Sequence, residues 1–218
     1  MNTTARYIHA LGPAALTRFY DPVVRWVMRE DAFRNRVLTH AELAPGQRLL
    51  DVGCGTGTLA LLAKQRHPGV EVHGVDGDDK VLALAREKDE RAGAGVRFER
   101  ALAWALPYPD GTFDRVVSTL MFHHLTVDDK QRTAREIVRV LRPGGALVLA
   151  DLGSPRSAPG RALARALFRA SRFDDHLAGR LPALLGGAGL SEVAEVDQHD
   201  VGPLPIAVIR GHKPRGDG

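Results

Sequence analysis

Between residues 47 and 151, short apolar, β-branched runs alternate with longer stretches whose apolar residues recur at helical spacing. Residues 47–52, 70–76, 96–102, 114–120 and 146–150 read as strands. Residues 58–67 read as a helix ended by Pro68-Gly69, and residues 79–91 as one that stops at Gly93. Residues 127–141 read as a third helix, closed by Pro143-Gly144-Gly145. Strand and helix in alternation, with short Gly/Pro punctuation, predict parallel βαβ units in an open α/β sheet. Residues 190–199 and 205–211 read as two further strands, joined at Gly202-Pro203 and antiparallel. Two segments fall outside this pattern: a mainly helical stretch over 1–45 and an arginine- and alanine-rich helical stretch over 153–188. Both are candidate lids over the carboxyl edge of the sheet, where open α/β sheets bind ligands.

A length of 218 residues favours one domain of ordinary core size, and 44% hydrophobic with 26% charged residues argues against a disordered or fibrous chain. The only cysteine, Cys54, excludes an internal disulfide and a multi-cysteine zinc site. No apolar run approaches the roughly 20 residues of a membrane span, and His9, Gly12 and Pro13 interrupt any signal-like segment, so a cytoplasmic protein is expected. The formal charge of +4 invites a nucleic-acid reading. However, Arg156, Arg161, Arg165, Arg169 and Arg172 fall in a window without a single acid, and the remainder is about neutral. Arg161, Arg165 and Arg169 share one helical face, which suits an anionic substrate or peripheral contact with a membrane, or else is simply a solvated face. Nucleic acid is not expected as a partner.

Leu49-Leu50-Asp51-Val52-Gly53-Cys54-Gly55-Thr56-Gly57 carries the most chemistry. An apolar strand runs into glycines at every second position and then into a helix, whose N-terminal amides face a polar ligand. The dinucleotide pattern Gly-x-Gly-x-x-Gly is poorly met, because Thr58 and Ala60 stand where it calls for glycine. Asp51 before the loop suits an amine or sulfonium better than a pyrophosphate. The next strand ends in Asp76, where a carboxylate can accept both hydroxyls of a ribose.

Together with Leu106-Pro107-Tyr108-Pro109-Asp110-Gly111-Thr112-Phe113-Asp114, Phe122-His123-His124-Leu125 and the run from Glu136 to Gly145, these residues resemble the class I S-adenosylmethionine-dependent methyltransferases. Within that family the likeness is to the small-molecule branch of ubiquinone and menaquinone biosynthesis, and it covers roughly residues 47–151. The resemblance implies a Rossmann-like three-layer sandwich, with a seven-stranded mixed sheet whose last strand is antiparallel, and helical lids. Residues 1–45 would form an N-terminal lid, 46–218 the core, and 153–188 a lid insertion. It also implies S-adenosylmethionine as cofactor. Asp51, Gly53, Cys54, Gly55 and Gly57 would lie at its methionine end, Asp76 and Gly77 at the ribose, Leu102 and Ala103 at the adenine, and Thr119 beside the sulfonium. Tyr20 would close over the cofactor.

One departure from the family stands out. Position 102, where relatives commonly carry an acid for the adenine amine, is Leu102, so another acceptor or a pocket reshaped by Trp104 is needed. A base is required when the acceptor loses a proton, and His123 and His124 are the candidates. Asp78-Asp79 and Asp128-Asp129 sit at expected helix starts, which favours helix-dipole stabilisation over a metal site. The expected activity is methyl transfer to a small apolar or aromatic acceptor at carbon or oxygen, with Phe19, Trp26, Phe122, Phe168 and Phe173 lining the acceptor side. A non-catalytic protein on the same fold, binding the cofactor or a partner, is the alternative; a nucleic-acid methyltransferase is the third reading.

Overall fold

A computed structural model describes residues 30–154, 180–201 and 204–216. Seven strands form one sheet in the order β3-β2-β1-β4-β5-β7-β6. They are β1 (Arg48–Val52), β2 (Glu71–Asp76), β3 (Arg97–Arg100), β4 (Phe113–Thr119), β5 (Leu141–Leu152), β6 (Ser191–Val201) and β7 (Leu204–His212). β7 pairs antiparallel with both β5 and β6, and the other pairings are parallel. The helices are α1 (Glu30–Ala41), α2 (Thr58–Arg66), α3 (Asp79–Ala92), α4 (Val127–Val140) and the short α5 (Leu181–Gly187).

Alternation along the strands sends side chains into two separate cores. Leu49, Val117 and Val148 pack with Phe33 and Val37 of α1, Leu59 of α2 and Leu82 of α3. Leu50, Val116, Leu147 and Leu149 pack on the other face with Ala134 and Ile137 of α4 and Leu181 and Leu185 of α5. This is the expected three-layer sandwich. Successive strands are added outward in one direction from β1 to β3 and in the other from β4 on, and ligands bind at the strands' carboxyl ends beside such a switch.

Two boundaries differ from the sequence expectation. β5 begins at Leu141, because the backbone of the Pro143-Gly144-Gly145 segment exchanges hydrogen bonds with Lys213 (Gly144 N to Lys213 O and Lys213 N to Gly145 O, both 2.9 Å) instead of ending the element. β3 stops at Arg100, since residues 102–105 fold into a tight turn closed by Ala105 N donating to Leu102 O at 2.9 Å. No helix among the described residues is long and apolar enough to cross a membrane.

Candidate active site

A cavity of about 670 Å³ opens at the carboxyl ends of β1, β2 and β4. Its walls include Gly53, Cys54 and Gly55 after β1, Asp76 and Gly77 after β2, Ala101–Trp104 after β3, and Thr119, Leu120 and Met121 after β4. Phe33 and Arg34 of α1 and Asp129 and Arg132 of α4 complete it. The glycine loop, the Asp76 strand end, residues 101–104 and the turn after β4 thus converge on one space.

Gly53 has φ +73°, and a Cβ there would lie 2.5 Å from Met121 Cγ, so the loop can pass Met121 only without a side chain. At Gly55, by contrast, a Cβ would meet nothing within 4 Å. The backbone there is bare toward open space, as a close-lying ligand requires. Gly57 is the N-cap of α2, pressed against Phe98 and Ala85, and does not line the cavity. Cys54 is buried, with its thiol pushed well above its usual range by burial, which suits packing and not nucleophilic attack.

Asp76 is oriented by two backbone donors. Gly55 N–H donates to its Oδ2 at 2.9 Å and Asp78 N–H to its Oδ1 at 3.0 Å. A carboxylate at the end of a strand, oriented by backbone amides, is the type of group that accepts from a vicinal diol. Asp51 is fully buried behind the glycine loop and does not line the cavity. Among the described residues neither of its oxygens meets a donor in good hydrogen-bond geometry. Burial raises its pKa to about 7, opposed by the charge of Arg34 and the Ala60 amide and reinforced by the charge of Asp76.

The turn after β4 is strained and tied down. Leu120 adopts φ +52°, a left-handed conformation rare for leucine, with its amide held by Ala150 O at 2.9 Å. His123 and His124 follow in a short 3-10 turn, and their rings lie 4.0 Å apart between centroids. Only His124 lines the cavity. His123 turns away and donates Nδ1–H to Asp151 Oδ1 at 2.7 Å, while Asp151 is buried at the end of β5. Burial, then the neighbouring His123, lowers the pKa of His124 to about 4, with Asp151 opposing the shift, so the ring is neutral at pH 7. Asp151 was missed in the sequence reading, although it lies at the carboxyl end of its strand, as Asp76 does.

Leu102, Ala103 and Thr119 all line the cavity. Phe122 does not, because it is wholly buried in the core beneath. Tyr20, the arginine stripe (Arg161, Arg165, Arg169) and Phe19, Trp26, Phe168 and Phe173 lie outside the described residues. Asp78 caps α3, and Thr126 caps α4 with Asp128 and Asp129 in its first turn, as helix-start acids should. Among the described residues no group of three or more His, Cys, Asp or Glu could hold a metal ion.

Residues 49–145 match the family model described as a methyltransferase domain. An uncharacterized methyltransferase of Synechocystis sp. is 30% identical over 187 residues, 84% of this chain and 85% of that protein. A demethylmenaquinone methyltransferase of Thermus thermophilus is 47% identical over 114 residues, 52% of this chain and 50% of that protein. The chain thus spans about half the length of that relative. A solved structure of an S-adenosylmethionine-dependent methyltransferase from Aquifex aeolicus superposes with TM-score 0.69 at 21% identity, covering 93% of this chain and 99% of that one. With matches that run through the glycine loop, the Asp76 strand end and the turn after β4, the chain belongs to the class I S-adenosylmethionine-dependent methyltransferases.

Proposed function

We propose that the protein transfers a methyl group from S-adenosylmethionine to a small apolar or aromatic acceptor, at carbon or oxygen. The observation that carries this reading is the single cavity in which Gly55, Asp76 and His124 meet. The residues present fit the cofactor: a glycine open to solvent, an oriented carboxylate for a diol, and a buried unpartnered carboxylate, Asp51, behind the loop for an ammonium group. When bound, S-adenosylmethionine supplies an electrophilic methyl group whose displacement needs alignment more than covalent help from the protein. Asp76 and Gly77 would hold the ribose, and Asp51 would face the methionine end through the glycine loop. Thr119, Leu120 and Met121 shape the reacting region and keep water out.

His124, neutral at pH 7, would take up the proton that the acceptor's nucleophilic atom gives up. Asp151, acting through His123, fixes the ring against which His124 packs. Phe33, Leu120, Met121 and Leu125 supply apolar cavity wall for the acceptor, and the relative named for demethylmenaquinone supports that class. Phe33 and Arg34 of α1 stand at the cavity, which supports reading that helix as part of a lid. Titration calorimetry with S-adenosylmethionine and S-adenosylhomocysteine should give heats that Asp76→Ala abolishes. Absence of binding by either compound would sink the reading. Labelled-methyl incorporation into a panel of quinols and phenols then separates an enzyme from a non-catalytic binder.

A further inference from the structure

The segment that follows β3 lies along one face of α4. Arg139 donates to Tyr108 O at 2.7 Å and to Leu106 O at 3.0 Å. One turn earlier, Glu136 Oε2 accepts from Leu106 N at 2.8 Å, and a turn before that the Arg132 guanidinium sits 5.9 Å from the Trp104 ring centroid. Residues 139, 136 and 132 form a stripe at helical spacing, and the next position on it is Asp129. Asp129 lines the cavity together with Leu102, Ala103 and Trp104.

Among the described residues, few other side chains at this end of the cavity offer an acceptor. Leu102 and Ala103 have none in their side chains, and the Leu102 carbonyl already takes the Ala105 amide. Asp78 spends Oδ1 on capping α3 through Lys80 N at 2.8 Å. Asp129 Oδ2 accepts from Thr126 Oγ1 at 2.7 Å, whereas Oδ1 has only Arg132 at 3.8 Å, beyond hydrogen-bond length, among the described residues. A half-buried carboxylate oxygen beside an indole ring suits a flat heterocycle bearing an exocyclic N–H donor.

We propose that Asp129 accepts the exocyclic amine of the cofactor's adenine, in the place left without an acceptor by Leu102. The inference rests on the reading that the cavity takes S-adenosylmethionine. With the ribose on Asp76 and the methionine end at the glycine loop, the base points toward 101–104 and α4. Ala101 N donates to Asp76 O at 3.0 Å, which sets that wall directly beside the ribose site.

The test compares S-adenosylhomocysteine with S-inosylhomocysteine, in which a carbonyl replaces the amine, by calorimetry on the full chain. Wild type should prefer the adenosyl compound by about tenfold or more, the scale of a charge-assisted hydrogen bond. Asp129→Asn, whose amide can turn an N–H toward the inosyl carbonyl, should erase or invert that preference. Asp129→Ala should weaken S-adenosylhomocysteine while leaving the inosyl compound little changed. Melting curves of both variants control for the loss of the Thr126 contact. An unchanged adenosyl-to-inosyl ratio in both variants overturns the assignment and leaves the cofactor reading intact; a wild type that binds neither compound overturns both.

Discussion

At pH 8 a folded Asp51→Asn variant is expected to gain stability relative to wild type as it loses affinity for cofactor. Asp51 is wholly buried, neither oxygen meets a well-placed donor among the described residues, and burial holds its pKa at about 7 against an ordinary value of 3.8. The folded protein therefore holds a proton there that the unfolded chain releases between these two values. Stability is full below the unfolded value and is lost as pH rises through the folded one. At ~1.36 kcal/mol per unit, the shift corresponds to about 4 kcal/mol across that window. Asparagine is neutral throughout. Its own unpartnered amide costs about 1–3 kcal/mol, but that cost does not vary with pH. The readout is therefore the growth of the difference between variant and wild type, by up to about 4 kcal/mol from pH 4 to pH 8, in urea melts at matched ionic strength. A difference that stays flat or shrinks with rising pH would refute the buried, unpartnered carboxylate. Calorimetry on the same samples should show wild-type S-adenosylmethionine affinity rising with pH through about 7, as Asp51 ionises to face an ammonium, and no such rise in the variant.

Gly53→Ala should lower the melting temperature by the equivalent of about 1–3 kcal/mol and abolish cofactor binding, because its Cβ would sit 2.5 Å from Met121 Cγ on a backbone at φ +73°. Asp76→Asn keeps one acceptor oxygen but turns an NH2 toward the Gly55 or the Asp78 amide, so S-adenosylhomocysteine should weaken roughly tenfold and the melting temperature should fall by the equivalent of about 1–3 kcal/mol. His124→Ala should depress kcat more than KM with a phenolic acceptor, and added imidazole should restore part of the rate. In wild type that rate should fall only as pH drops toward 4, where His124 becomes charged; folding stability is lost in the same direction, from 6.5 down to about 4. Asp151→Asn should cost activity through His123 with His124 intact, which steady-state kinetics on both single variants and the double variant would resolve.

The glycine loop, the Asp76 strand end and the His-His turn were legible because each is a local pattern. Strand, punctuation and helix start follow one another within a few residues, and backbone chemistry dictates which residue types fit. The Pro143-Gly144-Gly145 segment was misjudged as a boundary for the opposite reason. Its fate depends on Lys213, some seventy residues further along the chain, which supplies the hydrogen bonds that keep it in the sheet. Likewise, His123 and His124 are equivalent in sequence, and only the buried Asp151 distinguishes the ring it holds from the ring left lining the cavity.

The sequence by itself determined the class. Alternating periodicities require a parallel sheet, and the glycine spacing with Asp76 requires a small polar ligand at its carboxyl edge. Tertiary structure decided which groups share that ligand's space and in what ionic state. Asp51, read as a cofactor contact, sits behind the loop, where burial holds its proton to about pH 7. Asp129, read as a helix-start acid, also stands in the cavity wall, because α4 packs along the segment after β3. Periodicity reports which face of an element is buried; which neighbour covers that face depends on contacts distant in sequence, and those contacts set both the pKa values and the shape of the pocket.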